Sequence, residues 1–175
     1  MLHALDAWMP MIVSVCIAIV VGGLGGWLTR IGPWYRSLAK PSWQPPDWLF
    51  GPAWTVIFGF MVASSLYAWD AANGIGEASR VIVLFGVNIV LNIAWSAIFF
   101  RLERPDWAFL EVILLWLSIL ALVLGLWSIS ETASLLLMPY LAWVTFAAYL
   151  NLTIVRLNPL TARGKSEPSA SLSSP

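Results

Sequence analysis

Long apolar runs separated by short polar segments dominate the hydropathy pattern of this chain. Five of these runs contain few or no charged residues: 8–29, 48–69, 81–100, 107–130 and 132–155. A bilayer core of about 30 Å requires about 20 helical residues, and each run reaches that length. Strands of a membrane barrel would be about half as long and would alternate in polarity. The pattern therefore predicts an all-α membrane protein, a bundle of five transmembrane helices.

The overall composition agrees with a membrane protein. Of the 175 residues, 60% are hydrophobic and 10% are charged, whereas a soluble domain carries about 25% charged residues. The formal net charge is zero and no basic cluster occurs, which argues against a nucleic-acid partner. Cys16 is the only cysteine and His3 the only histidine. The sequence thus offers neither a disulfide framework nor a set of metal ligands.

The basic residues are distributed unevenly between the two predicted faces. Only Arg80 lies with the N-terminus and the second and fourth loops, whereas the other face has Arg30, Arg36, Lys40, Arg101, Arg104, Arg156, Arg163 and Lys165. Because basic residues collect in cytoplasmic loops, we expect the N-terminus outside and the C-terminus in the cytoplasm. Residues 1–157 would form the transmembrane domain, and the Ser- and Pro-rich residues 158–175 a disordered tail.

Glycine and proline residues inside the runs bear on helix packing. Gly22 and Gly26 have GxxxG spacing, which allows close helix approach within one bundle or between two protomers. Pro139 lies well inside the fifth run. We expect it to kink that helix, to free a backbone carbonyl and to open space beside the bundle axis. Cys16, in the middle of the first run, is interpreted as a small buried hydrophobe.

Three of the runs carry aromatic and amide side chains at helical spacing. These stripes are Trp54, Phe58, Met61 and Ser65; Asn88, Asn92, Trp95 and Phe99; and Tyr140, Trp143, Ala147 and Leu150. One interpretation is a packed core in which the asparagines form interhelical hydrogen bonds. The alternative is a pocket, because the stripes share one depth. At 1.5 Å per residue, Trp54, Trp95 and Ala147 lie about 8–13 Å from the cytoplasmic ends of their helices.

The first loop, residues 30–47, lies on the same cytoplasmic face. Its sequence RIGPWYRSLAKPSWQPPD combines several prolines, which stiffen the loop, with the aromatic residues Trp34, Tyr35 and Trp43. We expect this loop to cover the pocket as a lid. Aromatic walls, a few amides and a semi-rigid cover are typical of a site for a flat apolar ligand with polar edges.

Four segments of the chain together resemble the TspO/MBR family of tryptophan-rich sensory proteins and translocator proteins. They are WYRSLAKPSWQPP at 34–46, GPAWTVIFG at 51–59, LNIAWSAIFF at 91–100 and PYLAWVTFAAYLN at 139–151. The segments occur in the order found in the family, and the resemblance extends over residues 8–156. It implies a five-helix bundle, usually dimeric, which binds porphyrin, haem, sterols and benzodiazepine-site drugs beneath the first loop.

The resemblance also implies the residues of the binding site. Carried over by motif position, they are Tyr35, Pro41, Trp54, Phe58, Asn88, Asn92, Trp95, Trp143 and Ala147. In the family, the tryptophans that match Trp54 and Trp143 are linked to light-dependent porphyrin breakdown. Animal members continue a sterol-recognition pattern with a tyrosine after L-N, but here Leu152 follows Asn151. No obligatory cofactor and no metal is implied, since porphyrin or haem is the ligand.

These observations lead to three expected functions. The first is an integral membrane sensor or translocator that binds tetrapyrroles and contributes to regulating their levels. The second is photo-oxidative porphyrin degradation, in which the porphyrin supplies the chemistry. Ordinary acid–base catalysis has little support, because Glu111 lies close enough to the interface to snorkel or to pair with Arg101 or Arg104. The third is a membrane scaffold for sterols or other planar lipophiles.

The expected setting is a homodimer surrounded by membrane lipid. A bacterial cell membrane is favoured over a bacterial outer membrane or a mitochondrial outer membrane. Ion-coupled transport is disfavoured, because such transporters place ionisable residues at mid-membrane and no such residue occurs here.

Overall fold

The computed structural model describes residues 2–159, with side chains from residue 8 onward. All regular elements in this range are helical. In chain order they are α1 (Leu2–Leu28), α2 (Pro33–Ser37), a 3-10 turn (Asp47–Leu49), α3 (Phe50–Ala71), α4 (Gly74–Ser96), a π-helical turn (Ala97–Arg101), α5 (Pro105–Trp127), α6 (Glu131–Leu135) and α7 (Met138–Leu157). Residues 160–175 of the predicted tail, and the side chain of His3, lie outside the described residues.

Within the described chain, five helical stretches are long and apolar enough to cross a membrane. They are Trp8–Leu28, Asp47–Ala71, Gly74–Arg101, Pro105–Trp127 and Glu131–Leu157. The prediction of five membrane-spanning helices is thereby confirmed. The orientation of the two termini across the membrane stays a prediction.

Helix α5 lies at the centre of the bundle and packs against α4 and α7. Ile119, Leu122 and Leu126 of this helix are fully buried. Gly125 allows α4 to approach closely, because a Cβ atom there would lie 2.8 Å from Leu84 Cδ1. Helix α1 is peripheral and packs on α3 and α4. Its Cys16 is exposed, so the interpretation of this residue as a buried hydrophobe is wrong.

Helix α4 begins several residues before the apolar run does. The helix begins at Gly74, which has a φ of 78°, rather than near residue 81. Glu77 and Arg80 lie in the first two turns of α4, ahead of the apolar run that begins at residue 81. The Glu77 carboxylate accepts a hydrogen bond from the Asn73 backbone N–H at 2.7 Å. This bond satisfies a donor at the helix start.

Pro139 starts a helix instead of kinking one. The fifth span is divided into α6 and α7 at Leu136–Leu137, and Pro139 lies in the first turn of α7, where its missing N–H costs little. The Leu137 N–H bonds to the Ser134 carbonyl. The Ala133 carbonyl instead accepts the Ser64 hydroxyl at 2.6 Å. Ser64, Ala133 and Leu137 are fully buried, so the division opens no space there. The expected kink at Pro139 and the expected opening are wrong, whereas one backbone carbonyl, that of Ala133, is indeed free of a partner in its own helix.

The acidic residue in the middle helix does not pair with the basic residues near it. Arg104 forms a salt bridge with Asp106 at 2.6 Å. Arg101 lies over the Trp27 ring at 4.2 Å and donates to the Trp27 carbonyl. Glu111 is 7% exposed, and neither of its carboxylate oxygens has a hydrogen-bond partner among the described residues. The expected pairing of Glu111 with either arginine is therefore wrong.

Candidate ligand-binding site

A cavity of about 570 Å³ lies between α1, α3, α4, α7 and the first loop. Its lining includes eight aromatic residues and four glycines. The lining residues are Gly22, Gly25, Gly26, Thr29, Ile31, Tyr35, Asp47, Phe50, Gly51, Trp54, Thr55, Phe58, Asn92, Trp95, Ser96, Phe99, Phe100, Trp143, Ala147, Leu150, Asn151 and Ile154. This volume is in the range of pockets that enclose a small organic ligand. We refer to this space as the loop-side cavity.

Seven of the nine predicted site residues line this one cavity: Tyr35, Trp54, Phe58, Asn92, Trp95, Trp143 and Ala147. They come from the first loop and from three separate helices. Of the two interpretations of the aromatic stripes, the structure therefore favours a pocket at the shared depth. Met61 and Ser65, the last two residues of the α3 stripe, do not line it.

Asn88 is placed behind the cavity wall. It is fully buried, and its amide nitrogen donates to Ser118 Oγ at 2.9 Å. Its carbonyl oxygen accepts the Tyr140 hydroxyl at 3.3 Å, while Asn92 donates to the Tyr140 oxygen at 3.0 Å. Asn88 is thus the far end of a hydrogen-bonded chain that reaches the cavity through Asn92. In this arrangement it orients Asn92.

Pro41 also lies outside the lining. Its carbonyl accepts the Gln44 backbone N–H at 3.0 Å, which closes a turn in the first loop. Proline suits such a turn because its φ angle is already restricted. Pro41 therefore shapes the loop that carries Tyr35 and Asp47.

The cavity walls are held by contacts between aromatic rings. The Trp54 ring lies 5.6 Å from Phe58, and the Trp95 ring stacks on Phe99 at 5.3 Å. The Trp143 ring meets Phe50 edge-on at 5.7 Å. Offset and edge-to-face pairs at these distances are favourable. They hold the indole faces in position around the open space.

The indole N–H groups differ in their availability. Trp95 Nε1 donates to Asn151 Oδ1 at 3.2 Å, and the Asn151 amide donates to the Pro105 carbonyl at 2.8 Å. The nitrogens of Trp54 and Trp143 have no hydrogen-bond partner among the described residues. Two of the lining tryptophans therefore carry an indole donor that the rest of the bundle does not use.

The first loop is anchored to the ends of the helices at several points. Trp43 stacks on Tyr149 at 5.2 Å and meets Phe146 edge-on at 6.0 Å. The Ala39 backbone exchanges two hydrogen bonds of 2.9 Å with the Asn158 side chain. Asn158 was predicted to start the disordered tail, but it joins the end of α7 to the loop. The loop is thereby held over the cavity by contacts distant in sequence.

A hydrogen-bonded group joins the two ends of the loop. The Tyr35 hydroxyl donates to Asp47 Oδ1 at 3.0 Å. Gln44 Nε2 donates to the Tyr35 hydroxyl oxygen and to Asp47 Oδ1, each at 3.2 Å. Burial, together with the adjacent Asp47 carboxylate, raises the pKa of Tyr35 to about 12. The phenol therefore stays protonated at neutral pH and remains a donor to Asp47. We call these three residues the loop latch.

Several lining residues were not predicted. Asn151 lies one turn after Ala147, so an extension of the α7 stripe by one turn would have included it. Gly22 and Gly26 were interpreted through GxxxG packing, yet they line the cavity together with Gly25. A Cβ atom on Gly22 would lie 3.4 Å from the Phe58 ring, and none on Gly26 would meet a neighbour within 4 Å. No sequence pattern pointed to Asp47, because helical spacing cannot identify site residues in a loop.

A second cavity, of about 620 Å³, lies between α1, α3 and α4 further from the first loop. Its lining includes Met9, Val13, Ile17, Met61, Val62, Trp69, Val81 and Phe85, with Phe58 shared between the two cavities. Ser14 and Ser65 are its polar side chains, and their hydroxyl oxygens lie 3.1 Å apart. We refer to this space as the far cavity. No group of His, Cys, Asp and Glu that could hold a metal ion occurs among the described side chains.

Comparison with known proteins decides the family. The model of the TspO/MBR family matches residues 12–157. The chain belongs to the TspO/MBR family. It is 42% identical to tryptophan-rich protein TspO of Chlorobaculum tepidum over 149 residues, which cover 84% of this chain and 93% of that protein. It is 37% identical to tryptophan-rich protein TspO of Archaeoglobus fulgidus, over 86% of this chain and 97% of the relative. With the translocator protein of Sus scrofa it shares 35% identity, over 86% of this chain and 92% of the relative.

Proposed function

We propose that this chain binds a tetrapyrrole, porphyrin or haem, as a membrane sensor or translocator that contributes to regulating tetrapyrrole levels. One observation carries this proposal: Trp54, Trp95 and Trp143, from three different helices, line a single cavity of about 570 Å³ beneath the first loop. Indole faces stack on planar rings, and the N–H groups of Trp54 and Trp143 can donate to polar edges of the guest.

The lining indicates how a tetrapyrrole is held. Of the residue types that ligate haem iron, the lining contains no histidine, cysteine or methionine, and its one tyrosine, Tyr35, stays protonated and donates its hydroxyl to Asp47. Ring stacking and hydrogen bonds to the edge of the macrocycle therefore supply the binding. A metal-free porphyrin fits this set of side chains as well as haem does.

The proposal includes the setting of the site. The first loop acts as a lid on the cytoplasmic side, the C-terminus is cytoplasmic, and the protein is a homodimer in a bacterial cell membrane. The two hydrogen bonds between Ala39 and Asn158 support a lid role. They lie at the surface, where water can replace them when the loop opens. The excess of basic residues on the loop side supports the orientation.

A fluorescence titration of the full chain in detergent tests the binding proposal. Protoporphyrin should quench tryptophan emission saturably, and Trp143→Phe should weaken the binding. Trp116→Phe is the matched control, because the Trp116 N–H is bonded to Thr145 at 2.8 Å and the residue does not line the cavity. Quenching that rises linearly without saturation would contradict tetrapyrrole binding. Saturable displacement of a fluorescent sterol, with no response to porphyrin, would favour the lipophile scaffold instead.

A light-dependent porphyrin breakdown is the second candidate function. It is favoured by the placement of both Trp54 and Trp143 in the wall of one cavity, where they would adjoin an excited macrocycle. The macrocycle absorbs the light, and molecular oxygen is the oxidant. Under illumination in air, the porphyrin bound to wild type should decay faster than porphyrin bound to Trp143→Phe. Equal decay at equal occupancy would remove this candidate.

A further inference from the structure

The loop-side cavity reaches the surface of the bundle at one side. Its lining residues from α4, from the π-helical turn and from α7 are all buried or half-buried. The exposed lining residues come from the end of α1, the segment after it and the first two turns of α3: Gly26, Thr29, Ile31, Gly51 and Thr55. The cavity therefore opens sideways, between the end of α1 and the start of α3. We call this gap the lateral opening.

The lateral opening lies at the level of the membrane. Gly26 belongs to the span Trp8–Leu28, and Thr55 belongs to the span Asp47–Ala71. At 1.5 Å per residue, Thr55 is about 12 Å along its helix from the start of that span. The opening thus extends from the loop end of the bundle into the part that faces lipid. A guest dissolved in the membrane can reach it without passing through water.

The edges of the lateral opening offer little obstruction. A Cβ atom on Gly26 or on Gly51 would meet no neighbouring atom within 4 Å. Thr29 Oγ1 donates to the Gly25 carbonyl at 2.8 Å. Thr55 Oγ1 donates to the Gly51 carbonyl at 3.0 Å. Because both hydroxyls are bonded within their own helices, a passing apolar ring meets no hydroxyl that lacks a partner.

Helix α1 has no polar link to α3 at this end. Among the described residues, no hydrogen bond or ion pair joins the end of α1 to the start of α3. Arg101 instead donates to the Trp27 carbonyl at 2.8 Å and so holds α1 to the π-helical turn. The hydrogen bond that does join α1 to α3, between Ser65 and Ser14, lies in the far cavity. The two helices can therefore separate at the lateral opening without breaking a polar contact.

The first loop is held more firmly than this gap. The loop latch joins its two ends, and Trp43 stacks on Tyr149 at 5.2 Å. Asn158 exchanges two hydrogen bonds with the Ala39 backbone. Opening the loop toward water breaks contacts of these kinds, whereas widening the lateral opening breaks no hydrogen bond. Of the two ways into the cavity, the lateral one therefore requires less free energy.

We propose that a planar ligand dissolved in the membrane enters and leaves the loop-side cavity through the lateral opening, while the first loop stays closed toward water. This inference rests on the proposed function, since it gives the route to the same site. Gly26 and Thr55 then control access, and the aromatic walls hold the bound guest. Opening of the loop is the slower route.

The test measures association rates for the full chain reconstituted in lipid nanodiscs. Stopped flow follows the quenching of tryptophan emission by protoporphyrin, and a titration of the same samples gives the affinity. The double variant Gly26→Leu with Thr55→Leu narrows the opening and should slow association about tenfold, with the affinity changed less than about twofold. The affinity is kept because a narrower route slows entry and exit by the same factor.

Gly23→Leu with Val56→Leu is the matched control. Both residues are exposed on the same two helices and line neither cavity, and a Cβ atom on Gly23 meets no neighbour within 4 Å. The control should associate with porphyrin as fast as wild type. An unchanged association rate in Gly26→Leu with Thr55→Leu would overturn the lateral route, and so would equal slowing in the control.

A second variant tests the route without altering the lateral opening. Asn158→Ala weakens the attachment of the first loop. Entry through the lateral opening predicts an unchanged association rate in this variant, whereas association several-fold faster than in wild type would assign entry to the loop and overturn the proposal. If no protein in the series, wild type included, shows saturable quenching, the proposed function itself fails.

Discussion

The loop-side cavity and the far cavity are alike in volume and different in chemistry. They measure about 570 Å³ and about 620 Å³, and both are open spaces between helices of one bundle. The loop-side cavity has a carboxylate, a phenol and two asparagine amides in its wall, whereas the polar side chains of the far cavity are two serines next to each other. Volume alone therefore does not identify a recognition site. Convergent polar groups on aromatic walls do.

The boundary between the cavities explains how the two remain distinct. Phe58 lines both, and it lies against Gly22, where a Cβ atom would come within 3.4 Å of its ring. Helix α1 and the Phe58 ring of α3 thus meet at the boundary between the two cavities. Four predictions separate the two spaces, in order of decreasing effect.

Filling each cavity in turn gives the largest expected contrast. Ala147→Phe places a ring in the loop-side cavity and should weaken porphyrin binding about 100-fold or more, because the guest and the new side chain need the same space. Gly86→Leu fills part of the far cavity, where a Cβ atom meets no neighbour, and should change affinity less than about twofold. Porphyrin titration by fluorescence measures both. A reversed order of effects would move the binding site to the far cavity.

Removing the available indole donors should have an intermediate effect. Trp54→Phe and Trp143→Phe keep an aromatic ring but lose the N–H group, and each should weaken porphyrin binding about tenfold, equivalent to about 1.4 kcal/mol. Trp95→Phe should destabilise the fold as well, because its N–H is bonded to Asn151. Isothermal titration together with melting temperature distinguishes the two outcomes. Unchanged affinity in Trp54→Phe and Trp143→Phe would show that their N–H groups do not contact the ligand.

Weakening the attachment of the first loop should change the rate at which porphyrin leaves the loop-side cavity, without affecting the far cavity. Asn158→Ala removes both hydrogen bonds to Ala39. We expect porphyrin to dissociate about threefold faster with little change in its association rate, as for a weakened cover. Stopped-flow displacement measures the two rates. Thr153→Ala is the control, because the Thr153 hydroxyl bonds within α7, to the Tyr149 carbonyl at 2.8 Å. A loop that does not cover the ligand would leave both rates unchanged.

The smallest effect concerns the ionisation of the loop latch, which has no counterpart in the far cavity. The pKa of Tyr35 is raised from 10.0 to about 12, so its contribution to stability is complete below pH 10 and is lost as the pH rises through about 12. In ultraviolet titration, wild type and Tyr35→Phe should gain the same tyrosinate absorbance up to about pH 11. Above that value wild type should gain more. An early difference near pH 10 would mean that Tyr35 is not held by Asp47.

The site was partly predictable because helices preserve spacing. Trp54 and Phe58, or Trp143 and Ala147, share a helix face wherever the helix is placed, and both pairs line the cavity. Asn88 shares its stripe with Asn92, but one turn along the helix it meets Tyr140 and Ser118 instead of open space. Sequence spacing therefore predicts which residues share a helix face. Packing against the neighbouring helices decides which of those residues border the cavity.

The loop and the helix junctions were the least predictable parts. The Pro139 junction depends on Ser64, a residue of another helix that supplies the missing hydrogen bond to Ala133. The composition around Asn158 indicated that this residue belongs to the C-terminal tail. Only the tertiary structure shows that its side chain bonds the Ala39 backbone and so anchors the first loop. Such contacts join segments far apart in the chain, so no local pattern records them.

The amino-acid sequence by itself determined the number of membrane-spanning helices and the faces that carry aromatic and amide side chains. Both are local properties, since the length of an apolar run and the 3.6-residue period depend on neighbouring residues only. The tertiary structure alone decided which of these side chains border an empty space and that Asp47 lies in its wall. Those outcomes depend on how separate helices and the first loop pack together, because a cavity exists only where several segments fail to fill the space between them.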